Sequence, residues 1–403
     1  VVFWSHLVLG VSASLVILLM SVTGVLLGYE RQFIAMVDGA PRVTEIDAPR
    51  LPLDSLLSRA GIDRADVASV AMKARAEEPT VVRFRDRERA ALTLNPYTAE
   101  AIQVRTDGKA RAWMASLRRW HRWIGAEGGA LRTRFKAVTG AANLAFLLIV
   151  VSGLWLWWPR NWNLKALRSV LWFRRGLSPK ARDFNWHNTI GFWSLVPLFF
   201  VVASGVFISY RWPGLWLDRA LGSPEERAAA VAAMTAQDVE RSADSRAGGQ
   251  GVGGGGSSAG GGAEERAARD STTPTPAHAS LNQYFLSASN QHPEWQSLTI
   301  TLPAPTDSMA TLAVAEGNTY RPDQRTTLVV DARTGDVREA RDFGSLSTSR
   351  KIRAWVRFGH TGEVFGLAGQ TLATLVTLGS VVLVWTGLAL SWRRMLAWWH
   401  RSH

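Results

Sequence analysis

Cysteine is missing altogether from these 403 residues. Its absence excludes Cys-ligated iron–sulfur clusters, c-type haem attached through Cys-x-x-Cys-His, structural disulfides and thiol catalysis. The compartment stays open, because an extracytoplasmic protein can do without disulfides. Nucleotide and flavin fingerprints, a Walker loop and a His-Glu-x-x-His zinc motif are missing too. The run Gly253–Gly256 follows no predicted strand and opens no predicted helix, so it reads as part of a flexible tether and not as a phosphate loop. A third absence is more telling. No Asp, Glu or Lys lies in the middle of any long apolar block, so the proton or ion relays of coupled transporters are not visible; Glu363 stands only at the outer edge of the last block.

Those apolar blocks number four, at roughly 7–29, 137–158, 189–210 and 365–392, and each is long enough to cross a bilayer. Tryptophans such as Trp4, Trp158, Trp186 and Trp392 cluster near their ends, where amphipathic rings favour the interface. The loop 159–183 carries Arg160, Lys165, Arg168, Arg174, Arg175, Lys180 and Arg182 against the single Asp183, and the tail adds Arg393, Arg394 and Arg401. Both read as cytoplasmic, which puts both termini inside and the polar segments 30–118 and 211–355 outside. A second basic run, Arg118 to Lys136, then falls outside, where a long translocated segment weakens the rule. The net charge of +13 is on this reading a topology signal. Because it flanks helices and no reading motif accompanies it, nucleic acid is not an expected partner, whereas membrane lipid is. The chain starts at Val1, so a short basic leader is expected before it. The first block is longer than a signal-peptide core and lacks a cleavage-like ending, so it is expected to be a retained helix.

The chain reads as one unit written twice. His6 is followed four residues later by Gly10, and His187 by Gly191; each histidine has a small dipeptide beyond it, Thr23-Gly24 or Ser204-Gly205, whose glycine comes eighteen residues on. Two further histidines match more loosely. His121 comes 26 residues after Asn95 and His360 comes 29 after Asp331, and the helices that follow them end near Ser152-Gly153 and Thr386-Gly387. Taken singly, a histidine at a helix entrance is an ordinary interfacial polar residue. Four in register are a different matter. Halves of equal orientation are related by an axis along the membrane normal, which sets equivalent histidines opposite each other at one depth. Bis-histidine ligation of haem iron needs that geometry. His6 and His187 are therefore expected to bind one haem near the cytoplasmic side, and His121 and His360 another near the outer side. Cross-pairing, a single haem, or a part for His400 or His403 stays open, while His278 and His292 have no repeat partner. Gly10, Gly24, Gly191 and Gly205 would let a porphyrin or another helix approach. Arg119, Arg122, Arg357 and Lys351 would meet haem propionates, an acidic ligand or anionic lipid.

Each polar segment has the pattern of a small α+β unit. The first has a helix over 53–60, strands over 67–73, 81–85 and 91–94, and a turn at Asn95-Pro96-Tyr97-Thr98-Ala99-Glu100. The second has a helix over 280–287, strands over 297–302, 309–315 and 326–330, and a turn at Asp331-Ala332-Arg333-Thr334-Gly335-Asp336. A histidine-glycine first helix, such turns, and a Trp-rich, Arg-ended second helix resemble the PepSY-associated transmembrane family. Its members include iron-regulated inner-membrane proteins and reductases of ferric siderophores such as ferrioxamine. The resemblance spans nearly the whole chain except the Gly-rich insertion. It implies a four-helix bundle of two repeated two-helix halves, two small PepSY-like periplasmic domains and, as in the siderophore reductases, two b-type haems. The organisation expected is a helix within 1–29, an outer domain over 30–118, an interfacial segment and second helix over 119–158 and a cytoplasmic loop over 159–185. A third helix over 186–210, a second outer domain over 211–355 with its Gly-rich insertion at 223–276, a fourth helix over 356–392 and a tail over 393–403 complete it.

The activity expected is reduction of a ferric siderophore outside the membrane, with electrons from an external donor, either quinol or a cytosolic reductase. Outer-sphere transfer needs no acid–base residue, so none is assigned as catalytic. Two rivals remain: a siderophore permease, which would need polar residues lining a path, and a haem-free scaffold or regulator.

Overall fold

Twenty or more consecutive apolar residues without a central charge have one stable arrangement in lipid, a helix with every backbone group satisfied internally. The chain forms four such helices. In the computed structural model, which describes residues 1–402 apart from 40, 44–47, 87, 104–107, 159–163, 248–277 and 305–306, they are α1 (Val2–Leu27), α5 (Gly129–Trp157), α7 (Pro179–Ser209) and α12 (Gly366–Ser402). All four are long and apolar enough to span a membrane. Each is longer than its apolar block, because the polar residues flanking the block continue the same helix. The principal contacts run α1 to α5, α5 to α7, α7 to α12 and α12 back to α1. Thus α1 and α7 sit across one diagonal of the bundle, α5 and α12 across the other. The inner surface is sealed by small hydroxyl and amide contacts: Ser380 Oγ donates to Ser21 Oγ at 2.7 Å, and Asn143 Nδ2 to the Val202 carbonyl at 3.1 Å. Leu15, Val196, Phe200 and Leu375 are exposed on the outer surface, as lipid contact requires.

Shorter helices join these spans. After α1 comes α2 (Glu30–Val37); α3 (Leu53–Arg59) belongs to the first polar segment, and α4 (Lys109–Trp123) leads to α5. Helix α6 (Leu164–Leu171) precedes α7, and α8 (Trp212–Leu221) and α9 (Pro224–Ala247) follow it. The second polar segment holds α10 (Leu281–Gln291), and α11 (Thr348–Thr361) leads to α12. Helix α9 departs from expectation, since a tether was expected over 223–276. Its Ala-rich stretch with Glu225 and Glu226 in the first turn has good helix propensity, and the first turn is anchored by Glu226, which pairs with Arg350 of α11. The glycine run itself, with His403, lies outside the described residues.

The two polar segments were expected as separate small domains. They instead build one antiparallel sheet. The first supplies β1 (Val67–Lys73), β2 (Thr80–Phe84) and β3 (Leu92–Leu94); the second supplies β4 (Ser297–Thr301), β5 (Met309–Ala315), β6 (Arg325–Asp331) and an unforeseen β7 (Val337–Arg341). Their order is β3-β2-β1-β4-β5-β6-β7. The junction is the β1–β4 ladder, with Val70 opposite Ile300 and Ala71 opposite Thr299. Either three- or four-stranded half alone would present an unpaired edge strand there, and each edge satisfies the other. A common core follows, in which Leu56, Val70 and Leu94 of one half pack in one cluster with Tyr284, Ile300 and Leu312 of the other. Asp54 of α3 also accepts from the Leu281 and Asn282 amides at the start of α10, at 3.0 and 2.9 Å.

The two turns behind the family resemblance have the same build. Asn95 Oδ1 accepts from the Tyr97 amide and Asp331 Oδ1 from the Arg333 amide, both at 2.9 Å. Ala99 and Gly335 hold the matching left-handed position at φ 67° and 77°.

Because the chain has no cysteine, the shared sheet can be tested by one engineered pair. Ala71→Cys with Thr299→Cys is expected to form an intramolecular disulfide under mild oxidation, seen as a mobility shift on a non-reducing gel. Two independent domains would leave the thiols free.

Candidate functional site

The four histidines occupy two levels of the bundle. His6 lies in α1 and His187 in α7, both near the helix starts; His121 and His360 lie near the C-terminal ends of α4 and α11. Helices α4 and α11 are amphipathic, precede α5 and α12 and pack on α1 and α7; the end of the bundle they occupy, toward the sheet, is termed outer and the opposite end inner.

Each histidine docks on a different helix by one repeated contact. His6 Nδ1 meets Ser152 Oγ of α5 at 2.9 Å, and His187 Nδ1 meets Thr386 Oγ1 of α12 at 2.9 Å. At the other level, His121 Nδ1 meets Thr23 Oγ1 of α1 at 3.0 Å, and His360 Nδ1 meets Ser204 Oγ of α7 at 3.0 Å. The four hydroxyl residues are the first members of the four small dipeptides visible in the sequence. The following glycines lie beside the rings at three of these sites: a Cβ on Gly24 would sit in ordinary contact 3.4 Å from His121, on Gly153 3.5 Å from His6, and on Gly387 3.5 Å from His187.

This network sets the tautomer. Each hydroxyl also lies in donating range of its own helix: Thr23 to Leu19 at 2.7 Å, Ser152 to Ile149 at 3.1 Å, Ser204 to Val201 at 2.8 Å and Thr386 to Val382 at 2.8 Å. With its proton spent there, the oxygen accepts from Nδ1–H. At His360 the Val201 carbonyl also meets Nδ1, at 2.9 Å. A carbonyl cannot donate, so there Nδ1 carries the hydrogen; the hydroxyl bonds give the other three rings the same assignment, with the lone pair on Nε2. An imidazole fixed by Nδ1–H with a free Nε2 lone pair is the form that ligates metal.

At the outer level the ring centroids of His121 and His360 are 6.4 Å apart, with the planes tilted by 59°. Burial, reinforced by the positive charge His360 would carry, pushes the His121 imidazole down to about 4, and burial also lowers His360. Both rings are therefore neutral near pH 7. Among the described residues no group of three or more His, Cys, Asp or Glu gathers to hold an ion.

The expected basic residues divide. Arg119 pairs with exposed Glu127 at 2.5 Å, and Lys351 donates to the Gly344 carbonyl at 2.7 Å, so each has a local partner. Arg122 lies over the Trp123 ring at 4.9 Å and remains an electrostatic neighbour of His121. Arg357 lines a cavity at the outer end of α7. Of the glycines, Gly24 and Gly205 do the close work, facing Thr377 with His121 and Asn143 respectively; Gly191 meets Leu383 loosely and Gly10 has nothing within 4 Å. Gly153 and Gly387, not singled out for this role from the sequence, are the glycines beside the inner histidines.

The helix that presents His360 is itself clamped. Asp218 of α8 is buried, accepts from Ser349 of α11 and pairs with Arg353 at 2.9 Å.

Four helices long and apolar enough to cross a membrane, with an antiparallel sheet beyond them, define a multi-pass membrane protein. The PepSY-associated TM region matches residues 3–394. The chain therefore belongs to the PepSY-associated transmembrane family. A search of curated proteins finds no match.

Replacing Asp218 leaves the buried Ser349 hydroxyl without its acceptor. Asp218→Ala is expected to cost about 2 kcal/mol in the local stability of α11, seen as faster amide exchange over 348–361, while α4 keeps its protection. Equal exchange in both helices would remove the clamp from the account.

Proposed function

We propose that this protein is a bacterial inner-membrane oxidoreductase that holds two b-type haems, passes electrons outward and reduces a ferric siderophore in the periplasm. The observation that carries this reading is the set of four imidazoles with Nδ1–H anchored and Nε2 left for a metal. The outer pair also has the right spacing. A metal–imidazole bond of about 2 Å on each side, plus roughly 1 Å from nitrogen to ring centre, separates two centroids on one metal by about 6 Å, against the 6.4 Å found.

On this reading His121 and His360 hold the outer haem and His6 and His187 the inner one. Haem b supplies one-electron chemistry. The chain's own part is ligation, orientation and spacing. The hydroxyl acceptors hold each ring against rotation and raise its basicity. Arg122, close to His121, and Arg357, one turn from His360, supply positive charge beside the outer pair. His6 and Thr23, the latter holding His121, are seventeen residues apart on one helix, so α1 alone spaces the two levels by about 25 Å. The donor, quinol or a cytosolic reductase, would approach the basic inner side, where Arg393 of α12 pairs with buried Asp183 of α7 at 2.6 Å. Fe(III) leaves hard oxygen ligands far more readily once it has become Fe(II), so transfer of a single electron is enough to release the metal.

Two classes of variant test the assignment. His360→Ala and His187→Ala are each expected to lose one haem, and both to lose outward reduction of a ferric chelate. Ser152→Ala and Thr386→Val keep the ligands but free the ring, and haem affinity at the inner level is expected to fall by about 10- to 100-fold. Full haem content in the histidine variants would refute the ligand assignment.

A further inference from the structure

A cavity of about 430 Å³ lies where the outer end of α7 meets α8, α11 and the first turns of α5. That is the size of a small-molecule site. Lys136, Arg211, Arg353 and Arg357 line it, and no Asp or Glu does. Arg353 is committed to Asp218. Lys136, Arg211 and Arg357 make no ion pair among the described residues. Phe207 and Leu215 give the cavity apolar walls, and Tyr210 contributes a hydroxyl group. Three uncompensated cations around one concavity focus a positive potential that recruits anions.

Its position matters as much as its charge. Arg357 stands three residues before His360 on α11, and Phe207 three residues after Ser204, the hydroxyl partner of His360. Along both helices the cavity is therefore within one turn, about 5 Å, of the outer histidine site. The other half of the molecule has no such field. Tyr29 follows Thr23 by six residues, as Tyr210 follows Ser204, but the residues after it are Glu30 and Arg31. Glu30 pairs with Arg118 and Arg31 with Glu363, and the nearby cavity contains that second ion pair. Of the two corners, the one beside His360 is the one whose cations stay unpaired among the described residues.

We propose that this cavity docks the anionic group of a carboxylate-bearing ferric chelate, so that the protein selects substrates by negative charge. The proposal rests on the reductase reading and deepens it. The bound ferric ion takes one electron that originates from the quinol or cytosolic reductase and becomes ferrous. No covalent bond of the chelator forms or breaks, and the iron–oxygen bonds weaken. Carboxylates suit the site because guanidinium groups bind them in paired, charge-assisted contacts.

Gallium(III) complexes test docking apart from turnover, since gallium has the charge of ferric iron and is not reduced. Full-length protein in zwitterionic nanodiscs is titrated with gallium citrate, which is anionic, and with gallium desferrioxamine, a hydroxamate with a free ammonium. The citrate complex is expected to bind and the hydroxamate complex not to. Binding should weaken by about tenfold in Arg211→Gln and in Lys136→Gln, the loss of one charge-assisted contact, and should weaken as salt rises. Both side chains are exposed, so both variants are expected to fold and to keep wild-type haem content. Equal binding of the two complexes, or binding unchanged in both variants, overturns the proposal. So does loss of haem in either variant, which assigns the cations to the cofactor. Anionic phospholipid retained by wild type and lost by the variants, with no displacement by citrate, assigns the cavity to lipid and overturns it as well. Failure of the reductase reading would look different: gallium citrate would still bind to a chain that carries no haem.

Discussion

Everything at the centre of this protein depends on one contact made four times, a histidine Nδ1 against a Ser or Thr hydroxyl of another helix. The contact does two things at once. It satisfies a polar ring within an apolar bundle, where an unpaired donor would be costly. It also decides which nitrogen keeps its lone pair. Helix packing and site chemistry are thereby the same interaction, and at three of the four sites the glycine after the hydroxyl lies beside the ring.

The second organising constraint is the matched placement of the four histidines on the helices. Diagonal placement of α1 and α7 brings equivalent histidines toward each other across the bundle, and α4 and α11 do so at the outer end. Outside the spans the halves are joined through β1 and β4, so the extramembrane unit is one sheet with one core and not two modules. A shared sheet fixes the two outer halves relative to each other, and with them the approach to α4 and α11. Near the histidines the halves differ in charge, with an ion-paired corner in one and a cationic one in the other, at the cavity beside His360.

Much of this was legible in the sequence. The four spans announce themselves by apolar length, most strands by alternation, and the histidines and hydroxyl–glycine pairs by their register. The role of those pairs was not legible, because a small dipeptide reads as packing until the ring that meets it is placed, and that contact joins residues 98 to 199 positions apart. The shared sheet was hidden for a related reason: β1 and β4 have ordinary strand patterns, and nothing local distinguishes an edge that pairs with a distant strand from a free one. Strand β7, with Arg338, Glu339 and Arg341, is mostly exposed and lacks an apolar stripe. Helix α9 was missed because the glycines beyond it dominated the reading of the whole insertion. Arg119 and Lys351 show how sequence proximity to a histidine misleads, since each is held by a partner of its own.

The most direct test of the central claim is the reduced-minus-oxidised absorption spectrum of the purified full-length protein, with a pyridine haemochrome count, after expression with ample haem. Two b-type haems per chain with low-spin bands are the predicted result. A protein without haem under those conditions would contradict the account and leave the four anchored histidines as packing residues of a scaffold.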